Sequence, residues 1–86
     1  MPQAERQAMS LDDAILQCFA DEPFRIFTVE DVCDALCKHY KFTPFQEDLD
    51  PKYGQPRYRN EVRSSLAKAK NRGCIVYLGR NRYRFP

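Results

Sequence analysis

Three stretches of the chain repeat apolar residues every three or four positions, the spacing that places side chains on one face of an α-helix. The three stripes are Leu11, Ile15, Cys18 and Phe19; Val29, Val32, Leu36 and Tyr40; and Tyr58, Val62, Leu66 and Ala69. Ser10 and Thr28 precede the first two stretches, each with an aspartate three residues later, which is a helix-capping pattern. We therefore predict helices over residues 10–21, 29–40 and 56–73.

Shorter stretches predict β-structure. Residues 24–27 are aromatic and β-branched, which is typical of a brief strand or an extended connector. Residues 74–78 and 82–85 form two further strand-like runs, the second alternating arginine with aromatic side chains. The intervening Gly-Arg-Asn at 79–81 can supply the positive φ that a tight turn requires. These residues predict a C-terminal β-hairpin.

Two segments lack a regular pattern. Residues 1–9 are polar and predict a flexible N-terminal leader, so the domain is expected to span residues 10–86. Residues 41–56 hold three prolines and a glycine, which prevent a long continuous helix and predict a long loop. Loops of this length in compact domains are commonly functional or mobile. The large apolar side chains expected to hold it against the core are Phe42, Phe45, Leu49 and Tyr53.

Length and composition indicate one folded domain. A chain of 86 residues forms a single hydrophobic core, and 43% hydrophobic with 30% charged residues is a globular mixture. The longest unbroken apolar run, residues 74–78, is far shorter than the roughly 20 residues that span a bilayer. The first residues lack the cationic start and apolar stretch of a secretory signal. We therefore predict a cytoplasmic protein without a membrane segment.

The charges are distributed very unevenly along the chain. Its net charge is only +2, but residues 1–50 carry four Lys or Arg against eleven Asp or Glu, whereas residues 51–86 carry ten against one. Such an asymmetry indicates a surface that faces a polyanion. A solvated basic face without a partner, or one that pairs with the acidic half, would produce the same composition.

Four cysteines and one histidine raise the question of a metal site or a reactive group. The nearest approach to a ligand cluster is Cys33, Cys37 and His39, but the chain has no CxxC pair and no second Cys/His pair at zinc-finger spacing. The chain also lacks a glycine-rich phosphate loop and a grouping of catalytic residues. We therefore expect no metal, no cofactor and no enzymatic activity.

The order of elements favours a known architecture. Residues 62–85 combine the end of a basic helix, a glycine at 73, and a basic hairpin with an alternating return strand. This order resembles the winged-helix branch of the helix-turn-helix superfamily, and is similar to the small winged helices of restriction-enzyme accessory regions. The resemblance implies an α+β fold: three helices, a short strand and a two-stranded β-hairpin wing.

In winged helices the third helix usually enters the DNA major groove while the wing contacts the backbone or minor groove. The resemblance therefore implies a regulatory module that binds double-stranded DNA. With Val62 and Leu66 toward the core, a rotation of 100° per residue turns the polar side chains of the third helix outward. The DNA-binding residues expected on the helix and wing are Arg57, Asn60, Arg63, Ser64, Lys68, Asn71, Arg80, Arg82 and Arg84.

The helix face, the wing and the 41–56 connection each allow another interpretation. The helix face could be merely solvated, and the wing arginines could protect an exposed sheet edge. The connection at 41–56 is longer and more acidic than the turn usual in this family, and its carboxylates would repel phosphate. An alternative function is therefore protein–protein interaction through the acidic half or the 41–56 loop. An exposed patch of Phe42, Phe45, Leu49 and Tyr53 would favour that alternative.

Overall fold

The computed structural model describes residues 9–86, which contain four helices and three strands. In chain order these are α1 (Leu11–Asp21), β1 (Ile26–Thr28), α2 (Val29–Leu36), α3 (Pro44–Glu47), α4 (Arg57–Asn71), β2 (Val76–Gly79) and β3 (Arg82–Arg84). The predicted α+β class is confirmed, but the predicted number of helices was wrong because α3 lies within the expected loop. Of the predicted leader, residues 1–8 lie outside the described part, and Met9 packs against the core.

The three strands form one antiparallel sheet in the order β1-β3-β2. Phe27 of β1 lies opposite Tyr83 of β3, which in turn lies opposite Tyr77 of β2. Residues directly opposite one another share a face of the sheet. Because Phe27 is fully buried, this row marks the face that the helices cover. Arg82 and Arg84 alternate with Tyr83 and therefore lie on the outer face.

The core lies between the covered face of the sheet and helices α1, α2 and α4. Phe19 and Phe27 meet at its centre, with ring centroids 4.7 Å apart. The largest fully buried side chains come from all three helices and β1: Phe19, Phe27, Ile15, Leu36, Leu66, Val32, Val62 and Cys18. Most of them belong to the predicted stripes, and this agreement shows that the helical periodicity identified the core correctly.

Helix α2 is shorter than the predicted 29–40. After Leu36 the backbone makes tighter bonds: Lys38 N–H donates to the carbonyl of Ala35 (3.2 Å) and His39 N–H to that of Leu36 (2.9 Å). Bonds to the third preceding residue tighten a last helical turn and do not extend the α-helix. Residues 37–39 therefore form a turn, and Tyr40, whose N–H donates to the carbonyl of Leu36 at 2.8 Å, still packs against the core.

The end of α4 follows the glycine signal. Gly73 has φ +78°, and its N–H donates to the carbonyl of Lys70, while Cys74 N–H donates to that of Ala69. This pair of bonds is a Schellman motif, which satisfies the last helical carbonyls and reverses the chain direction. The motif leads the chain from α4 directly into the hairpin.

The 41–56 connection is more ordered than the sequence indicated. Thr43 and Gln46 cap α3 reciprocally, and Gln46 also donates to the Glu61 carboxylate of α4 at 2.8 Å. Phe42 stacks on Tyr58 of α4 with ring centroids 4.3 Å apart. The connection is thus attached to α4 through Phe42 and Gln46.

No helix within residues 9–86 is both long enough and apolar enough to cross a membrane.

Candidate nucleic-acid interface

Helix α4 is the longest helix of the described chain and presents two different faces. Val62, Ser65, Leu66 and Ala69 are buried against the core. The opposite face, about 180° around the axis, carries residues that lie in or near solvent: Asn60, Ser64, Ala67 and Asn71. Ser64 and Ala67 are small, so a partner can approach the helix backbone closely along this face.

The loop before α4 already occupies two of the residues predicted to contact bases. The Arg57 guanidinium lies 4.3 Å from the centroid of the Phe45 ring, a cation–π contact. Asn60 donates through Nδ2 to Asp50 at 3.4 Å. Both side chains are half-buried. For either to contact DNA, these contacts with the 41–56 connection have to open or be shared.

One flank of α4 is joined to the start of α1 through Asp12. Lys68 Nζ lies 2.8 Å from one carboxylate oxygen of Asp12, and the Ser65 hydroxyl donates to the other. These hydrogen bonds, that of Lys68 first, hold the pKa of Asp12 below its usual value. A cleft of about 420 Å³ opens here, lined by Ser10, Leu11, Asp12, Asn60, Glu61, Ser64, Ser65 and Lys68. The acidic half of the chain therefore neutralises one predicted DNA-binding residue, Lys68.

The other flank of α4 faces the hairpin. Lys70 Nζ lies 5.5 Å from the centroid of the Tyr77 ring. Burial, and then the neighbouring Tyr77, raises the pKa of Tyr83, while the positive charge of Arg63 acts in the opposite direction. Arg63 and Lys70 are seven residues apart and share this flank. Arg59 lies on the same flank, nearer to α2, and its Nη1 is 3.5 Å from Oε2 of Glu30.

The hairpin carries three exposed arginines in two orientations. Arg80 lies in the turn, whereas Arg82 and Arg84 lie on the outer face of the sheet, away from α4. Arg82 Nε donates to the carbonyl of Gly79 at 3.4 Å, and Arg84 Nη1 to that of Phe85 at 3.1 Å. The hairpin therefore presents one cation at its tip and two on the far side of the sheet.

The nine predicted contact residues thus fall into three groups. The solvent face of α4 and its hairpin flank bring together Asn60, Arg63, Ser64 and Asn71. Arg57 and Lys68 lie on the α1 flank, each with a partner within the domain. The hairpin group is Arg80, Arg82 and Arg84. Within residues 9–86, no carboxylate lies at salt-bridge distance from several of the C-terminal cations, namely Arg63, Lys70, Arg72, Arg80, Arg82 and Arg84.

The sequence prediction did not include Lys70 and Tyr77 among the residues of the candidate interface. Lys70 follows Arg63 by seven residues, and this spacing places both side chains on one flank of the helix. Tyr77 was assigned to an apolar strand, but it is 44% exposed. The alternation of side chains along β2 predicts the face of the sheet on which Tyr77 lies. The exposure of Tyr77 depends on how much of that face the helices cover.

Cys37 and His39 each have a polar partner within the domain. The Cys37 thiol donates to the Cys33 carbonyl at 3.8 Å, and His39 Nε2 lies 2.7 Å from Asp21 Oδ2. Burial raises the pKa of the Cys18 thiol to about 11. In residues 9–86 no three His, Cys, Asp or Glu side chains gather in a way that could hold a metal ion.

No protein-family model, no curated protein and no solved structure matches the chain. The geometry of its own residues is therefore the basis for assigning a function.

Proposed function

We propose that the domain is a winged helix that binds duplex DNA through the solvent face of α4 and the hairpin. The supporting topology is a short strand between the first two helices that pairs with the return strand of the hairpin, in the order β1-β3-β2. The turn at Gly73 leads α4 directly into this hairpin, and Lys70 Nζ of α4 lies 5.5 Å from the centroid of the Tyr77 ring of β2. A regulatory role in the cytoplasm is part of the same proposal.

The observation that carries the proposal is the cationic border of the α4 solvent face. Arg63 and Lys70 follow the hairpin flank of this face, and Arg80 extends from the hairpin tip. None of these three is paired with a carboxylate within residues 9–86. A face with small central residues and cations along its edge suits a duplex, because the phosphates lie on either side of the groove that the helix enters.

In this proposal the predicted residues differ in how readily their side chains can contact DNA. Arg63, Ser64, Asn71 and Arg80 are exposed and can contact DNA without rearrangement. Lys68 has to share its charge with Asp12. Arg82 and Arg84 lie on the outer face of the sheet. They contact DNA only if the hairpin inserts into a groove, because the DNA backbone then passes along both faces of the hairpin.

The decisive experiment is a titration of the domain with random-sequence duplex DNA at several salt concentrations. If Z phosphates are neutralised, the logarithm of the affinity falls with the logarithm of salt concentration at a slope of about −0.9Z, and Z of about 4–6 fits this surface. The double variant Arg63→Ala/Lys70→Ala is expected to weaken all duplexes alike and to flatten the slope by nearly two units. Undetectable binding at low salt would overturn the proposal.

A matched control removes the same charge elsewhere. Lys38 and Lys41 are exposed, and they lie within and just after the turn that follows α2. The variant Lys38→Ala/Lys41→Ala lowers the net charge equally but leaves the α4 face unchanged. Equal losses of affinity in the two double variants would show that only the overall charge of the domain matters.

A second candidate function is protein–protein interaction through the 41–56 connection. Phe45, Leu49 and Tyr53 are 64%, 61% and 57% exposed, although Phe42 packs against the core. Exposed apolar side chains concentrated in one segment are typical of protein contacts. Leu49→Ser/Tyr53→Ser would then abolish binding to a protein partner while the affinity for DNA stays unchanged, because the Phe45 ring keeps its cation–π contact with α4.

A further inference from the structure

Two tyrosines of the hairpin form an aromatic pair beside α4. Tyr77 and Tyr83 lie opposite each other in β2 and β3, with ring centroids 5.0 Å apart and ring planes inclined by 47°. Tyr83 packs against the core, whereas Tyr77 is 44% exposed. Tyr77 lies on a strand at the edge of the sheet, so one side of the pair is open to solvent.

Cations accompany this aromatic pair. Lys70 Nζ lies 5.5 Å from the Tyr77 ring centroid, and the charge of Arg63 acts on Tyr83. Neither cation has a carboxylate at salt-bridge distance among the described residues. Aromatic rings combined with cations that track a backbone are the physical basis of binding to single-stranded nucleic acid, because every base offers a π-face to an aromatic ring.

We propose that Tyr77, supported by Tyr83, stacks an unpaired nucleobase of DNA while Lys70 and Arg63 neutralise the adjoining phosphates. In an intact duplex the bases are stacked on one another and offer no free π-face to a side chain at the groove edge. The preferred ligand is therefore a duplex with an unpaired nucleotide at its end. This inference rests on the proposed binding of duplex DNA by α4 and names the form of DNA that the site prefers.

The test compares three kinds of ligand with the same duplex sequence: a blunt duplex, a duplex with a short single-stranded overhang, and a duplex with an overhang of abasic nucleotides. Overhangs are placed on the 3′ and the 5′ end in separate ligands. A stacked base contributes enough free energy for the base-containing overhang to raise the affinity about tenfold in at least one polarity. The abasic overhang carries the same phosphates, so it is expected to give much less of this gain.

Variants of Tyr77 separate the ring from the charge. Tyr77→Ala is expected to remove the gain from the overhang, measured as the ratio of the affinities for the overhang ligand and for blunt duplex within the same variant. Tyr77→Phe retains the ring and is expected to retain the gain. Tyr53→Ala is the matched control, because Tyr53 is also more than half exposed but lies in the 41–56 connection.

Fluorescence gives an independent measurement because the chain contains no tryptophan. In the Tyr77→Trp variant the single indole is expected to be quenched by the base-containing overhang and much less by blunt duplex. The same change at Tyr53 provides a reporter outside the site, whose fluorescence is expected to stay constant.

The possible outcomes separate the two proposals. If blunt duplex binds but the overhang adds nothing, or the abasic overhang adds as much, stacking on Tyr77 is overturned while duplex binding stands. If the overhang binds and blunt duplex does not, stacking stands and the proposed function is overturned. If none of the three kinds of ligand binds at low salt, both proposals are overturned.

Discussion

Arg80 occupies a backbone conformation that arginine seldom adopts. Arg80 and Asn81 have φ values of 53° and 61°, so the two-residue loop between β2 and β3 has the positive φ angles of a type I′ turn. Asparagine and glycine are favoured at both positions, whereas other L-residues are strained there by roughly 1–2 kcal/mol. A strained residue whose side chain extends into solvent is typical of a functional position.

Arg80→Asn is therefore expected to change stability and binding in opposite directions. Relief of the backbone strain should raise the midpoint of thermal unfolding by a few degrees, since about 1 kcal/mol corresponds to roughly 4–8 °C in a domain of this size. Loss of one phosphate contact should weaken duplex binding and flatten the salt slope by up to about 0.9. Calorimetry and the duplex titration measure the two effects, and Asn81→Gly serves as a turn variant that retains Arg80. Unchanged affinity in Arg80→Asn would show that Arg80 does not contact DNA.

Asp12 makes the stability of the domain sensitive to acid. Its folded-state pKa is lowered by the hydrogen bonds from Lys68 and Ser65, so its contribution is present above the ordinary carboxyl pKa of about 4 and is lost as the pH falls through the lowered value. The denaturant concentration at the unfolding midpoint should therefore decrease as the pH is lowered from about 5 to about 2. Asp12→Asn should reduce this fall without abolishing it, because the backbone N–H of Thr28 lowers the pKa of Asp31 in the same direction. An identical pH profile in the variant would contradict the assignment.

At the scale of the elements, helix α2 depends on the capping box at its N-terminus. The Thr28 hydroxyl accepts from the N–H of Asp31 at 3.1 Å, and the Asp31 carboxylate accepts from the N–H of Thr28 at 3.0 Å. Thr28→Ala leaves a helical N–H without its partner and is expected to cost about 1 kcal/mol. Thr28→Ser retains the hydroxyl and should cost much less. Equal unfolding midpoints for the Ala and Ser variants would show that the cap contributes no stability.

The elements that were predicted well are those specified by local patterns. The caps at Ser10 and Thr28 and the apolar stripes place α1 and the start of α2 correctly, because both signals act within one or two helical turns. Helix α3 was missed because Pro44 was interpreted only as one of the residues that prevent a long continuous helix between residues 41 and 56. Pro44 instead occupies a first-turn position, where proline is favoured, and Thr43 with Gln46 completes a capping box.

The arrangement of the site could be predicted only in part. The outward face of α4 followed from rotation about the helix axis, and Ser64 and Asn71 are exposed as that rotation requires. The contact of Lys68 with Asp12 joins residues 56 positions apart, and no local pattern encodes it. The alternation of Arg82 and Arg84 with Tyr83 is a local pattern, but the position of β3 between β1 and β2 depends on a long-range pairing with β1.

At the scale of the whole molecule, the uneven charge of the sequence is partly compensated by folding. Carboxylates of the acidic half reach across to two cations of the basic half, Asp12 to Lys68 and Glu30 to Arg59. Exposed ion pairs of this kind contribute little to stability. Their larger effect is on the surface, because they lower the positive potential along the α1 edge of α4 and toward α2. The cations on the hairpin side of α4 have no carboxylate partner within residues 9–86. The positive potential of the proposed interface is therefore higher on the hairpin side of α4 than on the α1 side.

Removal of Asp12 should therefore strengthen binding to duplex DNA. Asp12→Asn releases Lys68, which is then available for a phosphate, and removes a negative charge from the border of the α4 face. We expect a several-fold higher affinity and a salt slope steeper by up to about 0.9. Asp13→Asn is the matched control, since Asp13 is exposed, neighbours Asp12 in α1 and makes no ion pair with α4. It changes the net charge equally, so an equal gain in both variants would be an effect of overall charge. A gain confined to Asp12→Asn would show that the α1 edge of α4 borders the bound DNA, because only there can the released Lys68 reach a phosphate.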